Sequence, residues 1–346
     1  MPQIKAYGVL NADKPLGPLQ INRRDVGSDD VAIDIAYCGV CHSDIHQVRN
    51  EWGNSLYPMV PGHEIVGKVS KVGAKVSRFK IGDKVGVGCL VDSCRECPDC
   101  KEGLEQFCPR PVFTYNCLEK DNKTLAQGGY STKIVVHQDF VLRIPHNLPL
   151  EKAAPLLCAG ITTYSPLRHW NVDQGKRVAV IGLGGLGHMA VKIAHAMKAE
   201  VTVLSRTLDK KNDAMRLGAD HVYATSDPGT FEKLARYFDL IINTVSVKLD
   251  WGQYLSLLKR DASMVLLGVP SEAPQVHAFP LIMARRSLAG SLIGGIKETQ
   301  EMLDFCGKHN ITSDIELITM DKINEAYDRV IKADVKYRFV IDMASL

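Results

Sequence analysis

The stretch that decides the fold runs from residue 177 to residue 207. It reads Arg177-Val178-Ala179-Val180-Ile181, then Gly182-Leu183-Gly184-Gly185-Leu186-Gly187, then a segment from His188 to Lys198, then Val201-Thr202-Val203-Leu204. The first run is short, apolar and β-branched, the pattern of a strand covered on both faces. The second has the form G-x-G-x-x-G. In the third, Met189, Ile193, Ala194 and Met197 recur near helical spacing. The fourth is strand-like again. Strand, glycine turn, helix, strand is the setting in which this spacing binds a dinucleotide. Gly182 permits the tight turn, Gly184 lets backbone approach a pyrophosphate, and Gly187 lets helix sit close on strand. Leu183, Gly185 and Leu186 complete a loop whose N–H groups and helix dipole favour an anion.

Working outward, the alternation of strand and helix continues. Helical patterns cover Lys210 to Leu217, Thr230 to Tyr237 and Tyr254 to Lys259. Strand patterns cover His221-Val222-Tyr223, Asp239 to Val245, Ser263 to Gly268 and Ser287 to Ile293. That predicts a doubly wound parallel sheet of about six strands, an α/β fold. Upstream the texture changes to short alternating strands with glycine punctuation, at Val31–Ala36, Lys68–Val72 and Lys84–Val87, which predicts a compact β-rich unit. The boundary between the two falls near residue 150. Gln300 to His309 reads as an amphipathic helix and Tyr337 to Asp342 as a last strand.

With 346 residues, 45% of them hydrophobic, the chain can fill two cores. The formal net charge is +3 and no basic run stands out, so neither nucleic acid nor an anionic membrane is indicated. No apolar run approaches a spanning helix, and Met1 to Lys5 lacks the apolar core of a signal peptide. The expected location is cytoplasmic. Ten cysteines in such a compartment point to metal rather than to disulfides.

Cys94-x-x-Cys97-x-x-Cys100 followed by Cys108 is the most specific metal signal. Four thiolates with Pro98, Gly103 and Pro109 among them describe a looped, closed tetrahedral zinc site. An iron–sulfur cluster is the competing use, but nothing else suggests electron transfer. Cys38-x-x-Cys41 could be half a zinc site, a redox pair, or one ligand beside a bystander. His63 and Glu64, just before a strand, do not by themselves decide between ligand and structural roles. Cys38, Cys89, Cys117 and Cys306 read as ordinary buried thiols.

Taken together, Cys41-His42-Ser43-Asp44, Pro61-Gly62-His63-Glu64, Pro155-Leu156-Leu157-Cys158-Ala159-Gly160 and Tyr337-Arg338-Phe339-Val340 resemble the medium-chain zinc alcohol dehydrogenases. The resemblance covers essentially the whole chain. It is strongest to the cinnamyl-alcohol-dehydrogenase type, which includes bacterial NADPH-dependent aldehyde reductases. It implies a GroES-like β-rich catalytic domain (1–150 and 291–346) and a Rossmann cofactor domain (151–290), with the active site in the cleft between them. It implies a catalytic zinc on Cys41, His63 and Cys158, with Glu64 as an occasional fourth ligand, and a structural zinc on Cys94, Cys97, Cys100 and Cys108.

Asp44 would support the ligands. A proton would travel by Ser43, the cofactor ribose and His46 to solvent, and His42 falls where relatives contact the pyrophosphate. Thr162, Thr244, Gly268, Ser291 and Ile293 match positions that line the cofactor, and Arg338 would reach its phosphates or make an ion pair across the domains. Trp52, Tyr57, Leu90 and Ile293 match substrate-pocket positions, suited to aromatic or medium aliphatic aldehydes and primary alcohols. A homodimer is the usual assembly.

The choice of cofactor is read from the end of the second strand. An NAD site places a carboxylate there. Here Ser205-Arg206-Thr207 and Lys210 stand instead, groups suited to a 2′-phosphate. NADP(H) is therefore expected. Rival readings are a polyol or secondary-alcohol dehydrogenase of the same family, a catalytically silent relative, and a non-enzymatic zinc-module binding protein.

Overall fold

A computed structural model describes residues 3–270 and 272–346 of the chain. They fall into two compact units, one formed by Met1–Ile161 with Gly294–Leu346 and the other by Thr162–Ile293. These edges lie at 161/162 and 293/294 rather than at 150 and 290. The reason is local: Leu150–Ala153 and Ala154–Leu157 form short helical turns packed on strands of the first unit's sheet.

The second unit is a six-stranded sheet in which every neighbouring pair is parallel. Its order is His221–Ala224, Glu200–Ser205, Arg177–Ile181, Phe238–Asn243, Leu258–Leu266, Ser287–Gly290. The chain runs outward one way from Arg177–Ile181 and then resumes on its other side. That reversal makes the carboxyl end of this strand the switch point where such sheets bind ligands. Val178, Ala179 and Val180 are wholly buried, as a β-branched, two-faced strand requires. Helix Gly187–Ala196 buries Met189, Ala190, Val191, Ile193 and Ala194 against it. Two helices differ from their sequence patterns, one shifted and one shortened. Asp250 caps Trp251–Ser256 by accepting from the Gln253 N–H, so the helix starts and stops early and Lys259 joins a strand. Gly229–Lys233 is shorter than its pattern, because residues 234–236 form a turn that leads into the strand from Phe238.

In the first unit a seven-stranded sheet runs Ile315–Thr319, Arg338–Asp342, Asp30–Gly39, Ile65–Val72, Lys84–Val87, Leu142–Arg143, with Lys133–His137 also pairing on Asp30–Gly39. Its register determines the chemistry. Cys38 lies opposite Ile65, Ile65 opposite Val87, and Gly39 opposite Val340. Residues just past Gly39, just before Ile65, just past Val87 and just before Val340 therefore arrive at one end of the sheet. Strand Ile315–Thr319 and the amphipathic helix Ile323–Ile331 have no counterpart in the sequence reading. Among the described residues no helix is long and apolar enough to cross a membrane.

Candidate active site

Cys41 follows the strand Asp30–Gly39 and caps helix His42–Val48. His63 and Glu64 precede Ile65, and Cys158 sits between the turn Ala154–Leu157 and helix Ala159–His169. Their ligand atoms lie within 4.8 Å of one another, and all four residues are buried. Cys41 Sγ and Cys158 Sγ are 3.8 Å apart. Two thiols, an imidazole and a carboxylate facing one point fit the mixed N/S/O set of a working zinc site. Glu64 Oε2 is buried without a hydrogen-bond partner, as expected of an atom that has metal within reach.

Asp44 organises this set. Its carboxylate accepts from Cys41 N at 2.9 Å and Gly62 N at 3.2 Å, and its Oδ1 lies 3.2 Å from His63 Nδ1. The Tyr130 hydroxyl donates to it at 3.4 Å. With Nδ1 held by Asp44, His63 is left with Nε2 for a ligand. Tyr115 stacks on the His63 ring at 5.8 Å between centroids. The hydrogen bond from Cys158 holds the Cys41 thiol well below its ordinary value, and the same bond pushes Cys158 up. Burial opposes charge on His63, but Cys89 and Asp44 together drive its pKa well up.

The four-cysteine lobe also converges. The sulfurs of Cys94, Cys97, Cys100 and Cys108 lie within 4.8 Å of one another. The cradle is backbone: Cys97 N–H donates to Cys94 Sγ at 3.3 Å, and Cys94 N–H and Arg110 N–H donate to Cys108 Sγ at 3.4 and 3.3 Å. N–H groups of Glu96 and Cys97 lower the Cys94 pKa to about 6, favouring the thiolate that zinc takes.

His46 lies on helix His42–Val48, where its ring stacks on His42 at 4.7 Å and meets Trp52 at 4.9 Å. Its Nδ1 pairs with the Glu51 carboxylate, a partner the sequence reading missed. Ser43 Oγ is 3.6 Å from Cys41 Sγ.

In the second unit Gly182 has φ +88°, and a Cβ there would strike Val245. A Cβ on Gly187 would strike the Gly182 carbonyl, whereas Gly184 faces open space. Ile181 pairs with Leu204, so Ser205, Arg206 and Thr207 begin beside the glycine turn. Lys210 Nζ donates to the Leu183 carbonyl at 3.3 Å, and Thr244 Oγ1 to that of Ile181 at 2.7 Å. Thr162 opens this unit on helix Ala159–His169. Gly268 lies just past strand Leu258–Leu266, and Ser291 and Ile293 lie past Ser287–Gly290.

Several expectations change. Arg338 is buried and pairs with Glu64 within the first unit, a partner the sequence reading did not give. Leu90 is 2% exposed and packs in the first unit's core. Tyr57 donates to the Val48 carbonyl at 2.8 Å, and Trp52 packs on His46. Cys38 and Cys306 are buried as expected, but Cys89 and Cys117 are half-exposed. Cys89 is no bystander, because its Sγ lies 3.9 Å from the carbonyl oxygen of Leu157, the residue before Cys158. It stands two residues past Val87, and only the strand register brings it here.

A sheet with a dinucleotide turn and a metal cluster of this composition define a nicotinamide-linked metallo-oxidoreductase. Residues 27–146 match the model of the alcohol dehydrogenase GroES-like domain, and residues 185–308 that of the zinc-binding dehydrogenases. NADP-dependent alcohol dehydrogenase C 1 of Mycolicibacterium smegmatis is 61% identical over 100% of this chain and 99% of its own. Aldehyde reductase YahK of Escherichia coli is 53% identical, over 99% of each. The crystal structure of CAD from Helicobacter pylori complexed with NADP(H) superposes with a TM-score of 0.93 at 48% identity, covering 99% of this chain and 98% of that one. The chain belongs to the zinc-binding medium-chain alcohol dehydrogenase family.

Proposed function

We propose that the protein interconverts aldehydes and primary alcohols with NADP(H), using one zinc on Cys41, His63 and Cys158 and a second, structural zinc in the four-cysteine lobe. The observation that carries this reading is the convergence of those three donors, from three distant parts of the chain, in a protein that also builds a dinucleotide turn. Bound there, zinc supplies a Lewis acid for a carbonyl or hydroxyl oxygen, and NADP(H) supplies or accepts the hydride. The chain's own residues do the rest. Asp44 fixes the imidazole of His63, and the Arg338 guanidinium engages the Glu64 carboxylate. Ser43 and His46, three residues apart on one helix, share a face and carry the proton. Glu51 orients the His46 ring.

The cofactor preference rests on Ser205, Arg206, Thr207 and Lys210, which supply hydroxyls and cationic groups and no carboxylate at the ribose position. The glycine turn takes the pyrophosphate, with Thr162, Thr244, Gly268, Ser291 and Ile293 lining the site. Aromatic or medium aliphatic aldehydes suit the apolar residues near His46, Trp52 above all. A panel of aldehydes assayed by NADPH consumption, with NADH in parallel, tests the reading. Turnover of benzyl- or cinnamyl-type aldehydes with NADPH is expected, and no turnover of any aldehyde with either nucleotide would sink it.

Two further features are part of the proposal. Strand Ser287–Gly290 is the last in its sheet, and near it Phe279, Ile282 and Met283 are 75%, 69% and 74% exposed. An open edge beside apolar side chains favours a homodimer formed through that edge. Ten free cysteines support a reducing, cytoplasmic setting.

A further inference from the structure

Two thiols, Cys41 and Cys158, meet at the candidate catalytic centre, and a third lies next to the segment that carries Cys158. The third is Cys89. Val87 pairs with Ile65, so the residues after Val87 come up beside those before Ile65, where His63 lies. A Cβ on Gly88 would sit 3.0 Å from the Leu157 carbonyl oxygen, so its absence lets this backbone run hard against Leu157. Cys89 Sγ lies 3.9 Å from the carbonyl oxygen of Leu157, the residue that precedes Cys158. The Thr114 N–H donates to the Cys89 carbonyl at 3.0 Å, which holds the loop in place. Cys41 and Cys158 are buried, whereas Cys89 is partly exposed and so the most accessible of the three.

We propose that Cys89 is an oxidation site, at which a peroxide converts its thiol into a disulfide with Cys158 and so removes Cys158 from the metal. The chemistry balances in two steps. The peroxide O–O bond breaks as Cys89 sulfur takes one oxygen and becomes a sulfenic acid, and the other oxygen leaves as water or an alcohol. The Cys158 sulfur then attacks the Cys89 sulfur, and the S–S bond forms as hydroxide departs and takes a proton to become water. Two thiols lose two electrons and one peroxide gains them. Cys41 and His63 are left as an incomplete set, and a free thiol reverses the change by exchange. The inference rests on Cys158 being a metal ligand.

The test uses the zinc-loaded full chain. It is treated with hydrogen peroxide, free thiols are alkylated, and the disulfides are mapped by tandem mass spectrometry, which separates Cys89 from Cys94 on their shared tryptic peptide. Zinc release is followed with a chromogenic chelator. A Cys89–Cys158 link that grows in step with zinc loss, and that dithiothreitol removes, is expected. Cys89→Ser should slow that loss by about tenfold or more, because the exposed thiol is the entry point. A Cys41–Cys158 link with Cys89 still alkylated, or wild-type loss from Cys89→Ser, would overturn the proposal. If the variant does not fold, the wild-type map decides alone. Zinc content before peroxide is a separate reading, since its absence would refute the ligand assignment without touching the disulfide map.

Discussion

His63 Nδ1 lies 3.2 Å from Asp44 Oδ1, and the same carboxylate accepts the backbone N–H of Cys41. One buried acid thus aims two metal ligands that are far apart in sequence. Replacing it by Asn keeps the shape but removes the charge and one acceptor. Asp44→Asn should weaken zinc binding by about 10- to 100-fold. Competition with a chelator measures this, and an unchanged affinity would show that His63 is oriented by something else.

Arg206 follows Ser205 at the end of the strand Glu200–Ser205, level with the glycine turn. A 2′-phosphate offers it charge and acceptor oxygens that NADH lacks. Arg206→Asp should raise the KM for NADPH by about 100-fold while leaving that for NADH within a few-fold. Equal losses for both nucleotides would remove the phosphate assignment.

Glu51 pairs with His46 Nδ1, and Trp52 packs on the same ring. His46→Gln should lower kcat by about tenfold or more at low buffer concentration with zinc content intact, because a proton carrier is lost. Glu51→Gln should have a smaller effect in the same direction, since the imidazole remains but loses its orienting partner. Steady-state rates across buffer concentrations check both, and an unaltered kcat in His46→Gln would dispose of the relay.

Phe279 and Met283 stand exposed near the open strand Ser287–Gly290. Phe279→Glu with Met283→Glu should convert a dimer to monomer in sedimentation velocity, because charge on an apolar contact is costly to desolvate. A wild-type monomer, or a double variant that stays dimeric, would place the interface elsewhere.

Sequence pattern carried the fold where local physics suffices. Val178 to Ile181 and Gly182 to Gly187 form one strand and one turn, and their residues alone dictate both. The four-cysteine loop was legible for the same reason, because its ligands are neighbours. The relation of Cys41 to His63 and Cys158 came through resemblance, since no spacing within one segment expresses it. Glu51 on His46, Tyr115 on His63 and Cys89 beside Cys158 were not legible. Each depends on where a loop lands after strands pair, and a glutamate, a tyrosine or a half-exposed cysteine has many ordinary uses. The Arg338–Glu64 pair was not legible either, because an arginine suits a phosphate and a buried glutamate equally well by type.

Metal analysis of the wild-type chain and of Cys158→Ser, read beside NADPH-dependent aldehyde reduction, bears most directly on the proposed chemistry. The two clusters predict two zinc ions per chain in the wild type, and one in a variant that no longer reduces aldehydes. One zinc or none in the wild type, or a variant that keeps both ions and full turnover, would contradict a catalytic metal held by Cys41, His63 and Cys158.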